Sequence, residues 1–158
     1  MKILVVNDDS INAAGLKFLA EKAMKFGEVV IVAPKTEQSG KGHGITIKTP
    51  MKFKLIEDLV PGAKTYVIDS TPADCVRFAT FYLEYDYDIV FSGVNDGYNL
   101  GEDIMYSGTV GGASEGALNK KKGIAFSTAH NDLSGAIKYF DETMDYIIKN
   151  DLDRKSVV

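Results

Sequence analysis

Short apolar runs recur along the chain, separated by segments whose apolar residues return every three or four positions. Ile3-Leu4-Val5-Val6 is continuous, as in a strand buried on both faces. Leu16, Leu19, Ala20, Ala23 and Met24 then share one face of a helix, with Gly27 placed to end it. Val29-Val30-Ile31-Val32-Ala33 is a second buried run, stopped by Pro34. Strand, helix and strand within roughly 30 residues predict a right-handed parallel crossover.

The polar, glycine-rich loop "KTEQSGKGHG" follows Pro34. Beyond it Ile45, Ile47, Met51, Phe53 and Leu55 mostly alternate with polar residues, which predicts antiparallel excursion strands. Tyr66-Val67-Ile68 is another strand, and "STPADCV" opens a helix with Thr71 as N-cap, Pro72 at its first position and Asp74 in its first turn. "DIVFS" (88–92) is a further core strand, followed by the long loop "GVNDGYNLGEDIMYSG". A small-residue helix from near Thr109 leads to the strand Ile124-Ala125-Phe126-Ser127. Leu133, Ala136, Ile137, Phe140, Met144, Ile147 and Ile148 mark a last amphipathic helix. The alternation predicts an α/β fold: a Rossmann-like, doubly wound, mostly parallel sheet with helices on both faces and a small antiparallel excursion.

Composition narrows the classes. At 158 residues the chain is expected to form one domain, and its 45% hydrophobic and 25% charged residues are ordinary globular usage. A net charge of −4 argues against an interface for nucleic-acid polymers, which needs a basic face. No apolar run approaches the ~18 residues of a membrane span, and because Met1-Lys2 leads straight into a strand no signal peptide is expected. The single cysteine, Cys75, has no internal partner, so a reducing cytoplasm is expected.

Ligands of an open α/β sheet bind outside the carboxyl ends of its strands. The residues just past the strands are Asn7, Asp8 and Asp9 after the first, Ser39 with its glycines after the second, and Asn95 and Asp96 after "DIVFS". This is a rim of hard oxygen donors, suited to Mg²⁺, Mn²⁺ or Ca²⁺ and unlike a structural zinc site. A divalent cation would relieve the repulsion between Asp8 and Asp9; alternatively Asp9 or Ser10 caps the next helix, and "NDDS" alone leaves both readings open. The stretch "YSGTVGGASEGA" has a similar ambiguity. Gly108, Gly111, Gly112 and Gly116 let backbone approach a phosphate held by the helix end and the Ser107 and Thr109 hydroxyls, or they serve tight packing on the sheet. Cys75 reads as a small core residue, His43 and His130 as polar loop residues able to touch a substrate, and "NKKKG" (119–123) as a solvated helix terminus.

The motifs "ILVVNDDS", "VAPKTEQSGKGHGITI", "STPADCV", "FSGVNDGYNLG", "YSGTVGGASEGA" and "IAFS" occur in an order that resembles the SurE (survival protein E) family of metal-dependent 5′(3′)-nucleotidases and acid phosphatases. The resemblance implies one divalent cation held by Asp8, Asp9, Ser39 and Asn95, with Asp8 and Asp9 also catalytic. It further implies that Asn95, Ser107, Gly108 and Thr109 help hold phosphate. Implied substrates are nucleoside monophosphates and, in some members, short polyphosphate. Three positions depart from the family pattern: Ser10, Ser70 and Gly112 stand where glycine, glycine and alanine are usual. Relatives also continue past "DLDRKSVV" into a segment that builds dimers and tetramers, which this chain is expected to lack. An alternative to the active nucleotidase is therefore a truncated form or fragment that binds metal and phosphate but turns over poorly.

Two other classes compete. A signalling receiver domain also places acids after its first strand and binds Mg²⁺, and Asp69 would be its phosphoacceptor; it needs a lysine after the last core strand, where this chain has Ser127-Thr128-Ala129-His130. A haloacid-dehalogenase-type phosphatase wants aspartates two apart, on one side of the strand end, and here they are adjacent.

Overall fold

A computed structural model of the chain describes residues 1–150. The closing "DLDRKSVV" (151–158), on which the expected short C-terminus rests, lies outside the described residues. The elements are β1 (Lys2–Val6), α1 (Ala14–Ala23), β2 (Glu28–Pro34), β3 (Phe53–Ile56), β4 (Lys64–Ile68), α2 (Pro72–Arg77), β5 (Ile89–Asp96), α3 (Gly108–Leu118), β6 (Lys122–Thr128) and α4 (Ser134–Lys149). A wider, π-helical turn over Phe78–Tyr82 continues α2.

The six strands run in the order β3-β4-β2-β1-β5-β6. Among the strands of the described residues only β3 is antiparallel, to β4; the other pairs are parallel. The chain leaves β1 toward β2 and β4, then returns to the other side of β1 as β5. The order therefore reverses between β1 and β5, and the crevice for a ligand opens outside their carboxyl ends.

The continuous apolar run of β1 is explained by burial on both faces. Ile3 and Val5 pack with Leu16, Leu19 and Ala20 of α1 and with Phe140 and Met144 of α4. Leu4 and Val6 pack on the opposite face with Val30, Val32, and Cys75 and Val76 of α2. Each such aliphatic side chain contributes roughly 1.5–3 kcal/mol by leaving water. Helix α3 lies on the α2 side, with Val110 and Ala113 against Ala125. Its glycines are needed there: a Cβ at Gly112 would stand 2.9 Å from Ser92 Oγ, and one at Gly116 2.6 Å from Val90 Cγ2.

Several elements differ in extent from the expectation. Helix α1 ends at Ala23 and leaves Met24 exposed; Gly27 follows three residues of turn, where a side chain would run into the backbone of Met1. Of the alternating segment only Phe53–Ile56 forms a strand. Ile45 and Ile47 stay exposed because the chain there is tied to α2 instead, Thr46 N donating to Asp74 Oδ2 at 2.8 Å. Strand β5 runs on past Ser92 to Asp96 through a register shift between Ser92 and Asn95. In α4, Phe140, Met144 and Ile147 face the core, whereas Ile137 and Ile148 face solvent. The "NKKKG" run does not stay wholly in solvent: Lys121 pairs with Asp86 at 2.6 Å and Lys122 begins β6. Thr71 caps α2 as expected, its hydroxyl accepting from Asp74 N, and Cys75 is fully buried.

Candidate active site

Asp8 and Asp9 leave the end of β1 toward the crevice. Neither caps α1. That helix starts from Ala13 with no side-chain cap, so the capping account of "NDDS" fails. The turn is instead pinned by Asn7 Nδ2, which donates to the Ser10 carbonyl at 2.9 Å, and Ser10 takes φ +90°. That left-handed conformation suits glycine better than serine.

Asp8 is 4% exposed. Its Oδ1 accepts a short hydrogen bond from Thr109 Oγ1, and its carbonyl accepts from Gln38 N at 2.8 Å. Asp9 Oδ2 accepts from Asp96 N at 3.0 Å, which ties the end of β1 to the end of β5. Burial pushes both carboxyls up, and the neighbouring acids Glu37 and, for Asp9, Asp8 and Asp96 push the same way. The hydrogen bonds oppose this incompletely, and Asp9 is raised to about 6.

A cavity of about 380 Å³ brings Asp8, Asp9, Ser39, Asn95 and Ser107 together. Ser39 donates to Glu37 Oε1 at 2.5 Å, which leaves its oxygen lone pairs available. Asn95 commits its amide nitrogen to the Gly97 carbonyl at 2.7 Å and keeps Oδ1 as an acceptor. Ser107 Oγ accepts from Val110 N, so its O–H is free to donate into the cavity. Thr109 has a different place from the phosphate-facing one expected. It is fully buried, and its hydroxyl is spent on Asp8. Gly108 also sits behind Asp8, where a Cβ would stand 2.9 Å from Asp8 Oδ2. Packing on the sheet and close approach to the site are thus both served by the same glycine-rich helix.

The donor set fits a hard divalent cation. It offers two carboxylates and two neutral oxygens, and a cation would offset the burial and the acidic neighbours that raise both carboxyls. Among the described residues no three His, Cys, Asp or Glu side chains gather for a metal, and a set with two carboxylates does not require it. Buried Asn7 Oδ1, in the same turn, has no hydrogen-bond partner.

The same cavity is lined by His130, as the sequence allowed, and by Glu37, Tyr98, Asn99, Asp103 and Tyr106, which single-strand logic does not reach. Four of them lie in the long loop "GVNDGYNLGEDIMYSG", whose only local signal is its position between a core strand and α3. His130 is 74% exposed, and its Nδ1 is 3.3 Å from Asp96 Oδ2. His43 does not reach this cavity; it pairs with Glu115 of α3 at 2.7 Å. Asp69, at the end of β4, is two strands from β1 and does not line the cavity.

The family model for survival protein SurE matches residues 3–158. The chain belongs to the SurE family. It is 48% identical to the 5′-nucleotidase SurE of Kosmotoga olearia over 82% of this chain and 51% of that protein. With the 5′-nucleotidase SurE of Clostridium botulinum it shares 42% identity over all of this chain and 65% of the relative. The crystal structure of the SurE protein from Aquifex aeolicus superposes with a TM-score of 0.80 at 38% identity, covering 94% of this chain and 60% of that one. This chain therefore spans about half to two thirds of the length of these SurE relatives. The Rossmann-like α/β architecture is shared with the SurE neighbour over nearly the whole chain.

Proposed function

We propose that the chain is a divalent-cation-dependent phosphomonoesterase that hydrolyses nucleoside monophosphates, acting as one α/β domain. The observation that carries the reading is the convergence of two successive, strained carboxylates, Asp8 and Asp9, with Ser39 and Asn95 on one polar cavity beside the start of α3. The names of the SurE relatives, 5′-nucleotidases, support the same reaction class.

Asp8, Asp9, Ser39 and Asn95 would hold Mg²⁺, Mn²⁺ or Ca²⁺, which when bound supplies Lewis-acid stabilisation of phosphoryl oxygen and lowers the pKa of water. Asp9, the less buried carboxylate of the pair, is placed to take a proton from the attacking water. Ser107 O–H, at the start of α3, donates to an equatorial phosphoryl oxygen, where charge gathers in the transition state. Asn95 serves cation and phosphate alike. His130, held on Asp96, stands at the same cavity as a proton donor toward the departing nucleoside oxygen.

Short polyphosphate carries the same terminal phosphoryl group and fits the same donors. No described helix is long and apolar enough to cross a membrane. A free, buried Cys75 suits a cytoplasmic setting, and homodimers or tetramers belong to the reading through the family. The receiver reading loses its geometry, because Asp69 stands apart from Asp8 and Asp9.

The test is phosphate release by the full chain from nucleoside monophosphates with Mn²⁺ or Mg²⁺, against the same assay in EDTA. Cation-dependent release is expected. Formation of a stable acyl-phosphate on Asp69 from acetyl phosphate, without release, would overturn the phosphatase reading.

A further inference from the structure

One buried carboxylate takes no part in the chemistry proposed above. Glu115 lies in the middle of α3, its side chain 7% exposed, in a helix otherwise built from small and apolar residues. A buried carboxylate is costly unless paired, and an apolar residue there would be cheaper. Its partners come from two other parts of the chain: His43 Nε2 donates to Oε2 at 2.7 Å, and Arg77 of α2 reaches Oε1 at 3.4 Å.

His43 follows Ser39 by four residues in the loop after β2. The near end of that loop is fixed by Gln38 N, which donates to the Asp8 carbonyl at 2.8 Å. The far end is fixed on α3 and the segment leading into it. Gly42 N donates to the Tyr106 carbonyl at 2.8 Å, any side chain at Gly111 would run into the Gly42 carbonyl, and His43 closes on Glu115. Ser39 is exposed between the two anchors. Of the anchors on α3, the Glu115–His43 pair is the one made between two side chains; just beyond it the chain is held on α2, where the Gly44 carbonyl accepts from Thr71 Oγ1 at 2.7 Å.

We infer that Glu115, acting through His43, is a positioning residue that holds the Ser39 loop against α3 and so sets the approach of Ser39 to Asp8 and Asp9. The inference rests on the cation reading of Ser39. Helix α3 then organises the site twice: Thr109 in its first turn orients Asp8, and Glu115 two turns later fixes the loop that brings Ser39.

The experiment is Mn²⁺ binding to the full chain, read by loss of the free-ion electron paramagnetic resonance signal, with melting in EDTA as the control for folding. Glu115→Gln and His43→Ala are each expected to raise the Mn²⁺ Kd about 10-fold, in the range of outer-shell supports of metal ligands. His43→Gln, which can still donate to Glu115, is expected to restore most of the affinity. In a Ser39→Ala background Glu115→Gln is expected to weaken binding no further, because its effect runs through Ser39. A normal Kd in both Glu115→Gln and His43→Ala, with melting lowered or not, overturns the inference and leaves the cation reading standing. Absence of Mn²⁺ binding by the unaltered chain overturns the cation reading itself. If Glu115→Gln does not fold, His43→Ala on the more exposed loop side decides alone.

Discussion

Two buried aspartates stand at the carboxyl rim of the same sheet and live in opposite conditions. Asp74, in the first turn of α2, is 1% exposed. It accepts from Ser70 Oγ at 2.5 Å, Thr46 N at 2.8 Å and Thr71 Oγ1 at 3.2 Å. Asp8 is 4% exposed, has one side-chain donor, Thr109, besides weaker backbone ones, and faces Glu37 with Asp9 next to it. The first carboxylate is satisfied and knits a loop to a helix start. The second is left short of partners beside a like charge. A protein tolerates such a shortfall where something positive is meant to arrive.

That contrast is broken most severely by neutralising the under-satisfied pair. Asp8→Asn and Asp9→Asn are expected to lower cation-dependent phosphate release by more than about 100-fold, beyond the 10–100-fold typical of outer-shell partners. Mn²⁺ should no longer raise the melting temperature of either variant. In EDTA at pH 7 both variants should melt at or above the unaltered chain, since each removes a repelled carboxylate. Undiminished turnover in both would remove these residues from the site. Asp74→Ala should behave in the reverse way. It strands Thr46 N and removes the shortest partner of Ser70 Oγ, while Thr71 keeps the Gly44 carbonyl, and is expected to cost about 1–3 kcal/mol in urea unfolding.

The pH dependence sharpens the same comparison. Asp9 is raised from the usual carboxylate range to about 6 by burial and its acidic neighbours. Between pH 4 and 6 the unfolded chain has already lost this proton while the folded chain keeps it. Stability of the cation-free protein therefore falls as pH rises through that window, and Asp8 acts in the same direction. The loss is on the order of 1–2 kcal/mol after allowance for solvent still reaching Asp9. Urea titrations in EDTA at pH 4.5 and 7.5 should show it, and Asp9→Asn should flatten it. Cation affinity runs the other way and should climb across the same window, because binding must displace the retained protons. A cation affinity flat from pH 5 to 7 would count against the pair as ligands.

Most of the frame was legible because it depends on local patterns. The doubly buried run of β1, the Thr71-Pro72 start of α2 and the rim positions of Asp8, Asp9, Ser39 and Asn95 all follow from residues close in sequence. The geometry that distinguishes candidate roles is not local. Thr109 reaches Asp8 across 101 residues and His43 reaches Glu115 across 72, and no periodicity announces either contact. The excursion is shorter than its alternation suggests for a similar reason: alternation marks residues able to form a strand, but of this segment only Phe53–Ile56 pairs with β4, and Thr46 is held by Asp74 instead. The glycines of α3 were ambiguous because packing and site access require the same small residue.

The smallest prediction concerns the fourth letter of "NDDS". Ser10 holds φ +90°, where a side chain is strained by about 1–2 kcal/mol relative to glycine. Part of that gain is returned, because glycine loses roughly 0.5–1 kcal/mol more backbone freedom on folding. Ser10→Gly is therefore expected to stabilise the cation-free protein by about 0.5–1 kcal/mol, measured as a higher urea midpoint with an unchanged slope. Ser10→Ala keeps the Cβ and should bring no such gain. The Asn7–Ser10 hydrogen bond uses the Ser10 backbone carbonyl and survives both changes, so cation affinity should stay within about twofold. A larger loss of affinity in Ser10→Gly would mean that a rigid, strained turn is itself needed to keep Asp8 and Asp9 in place.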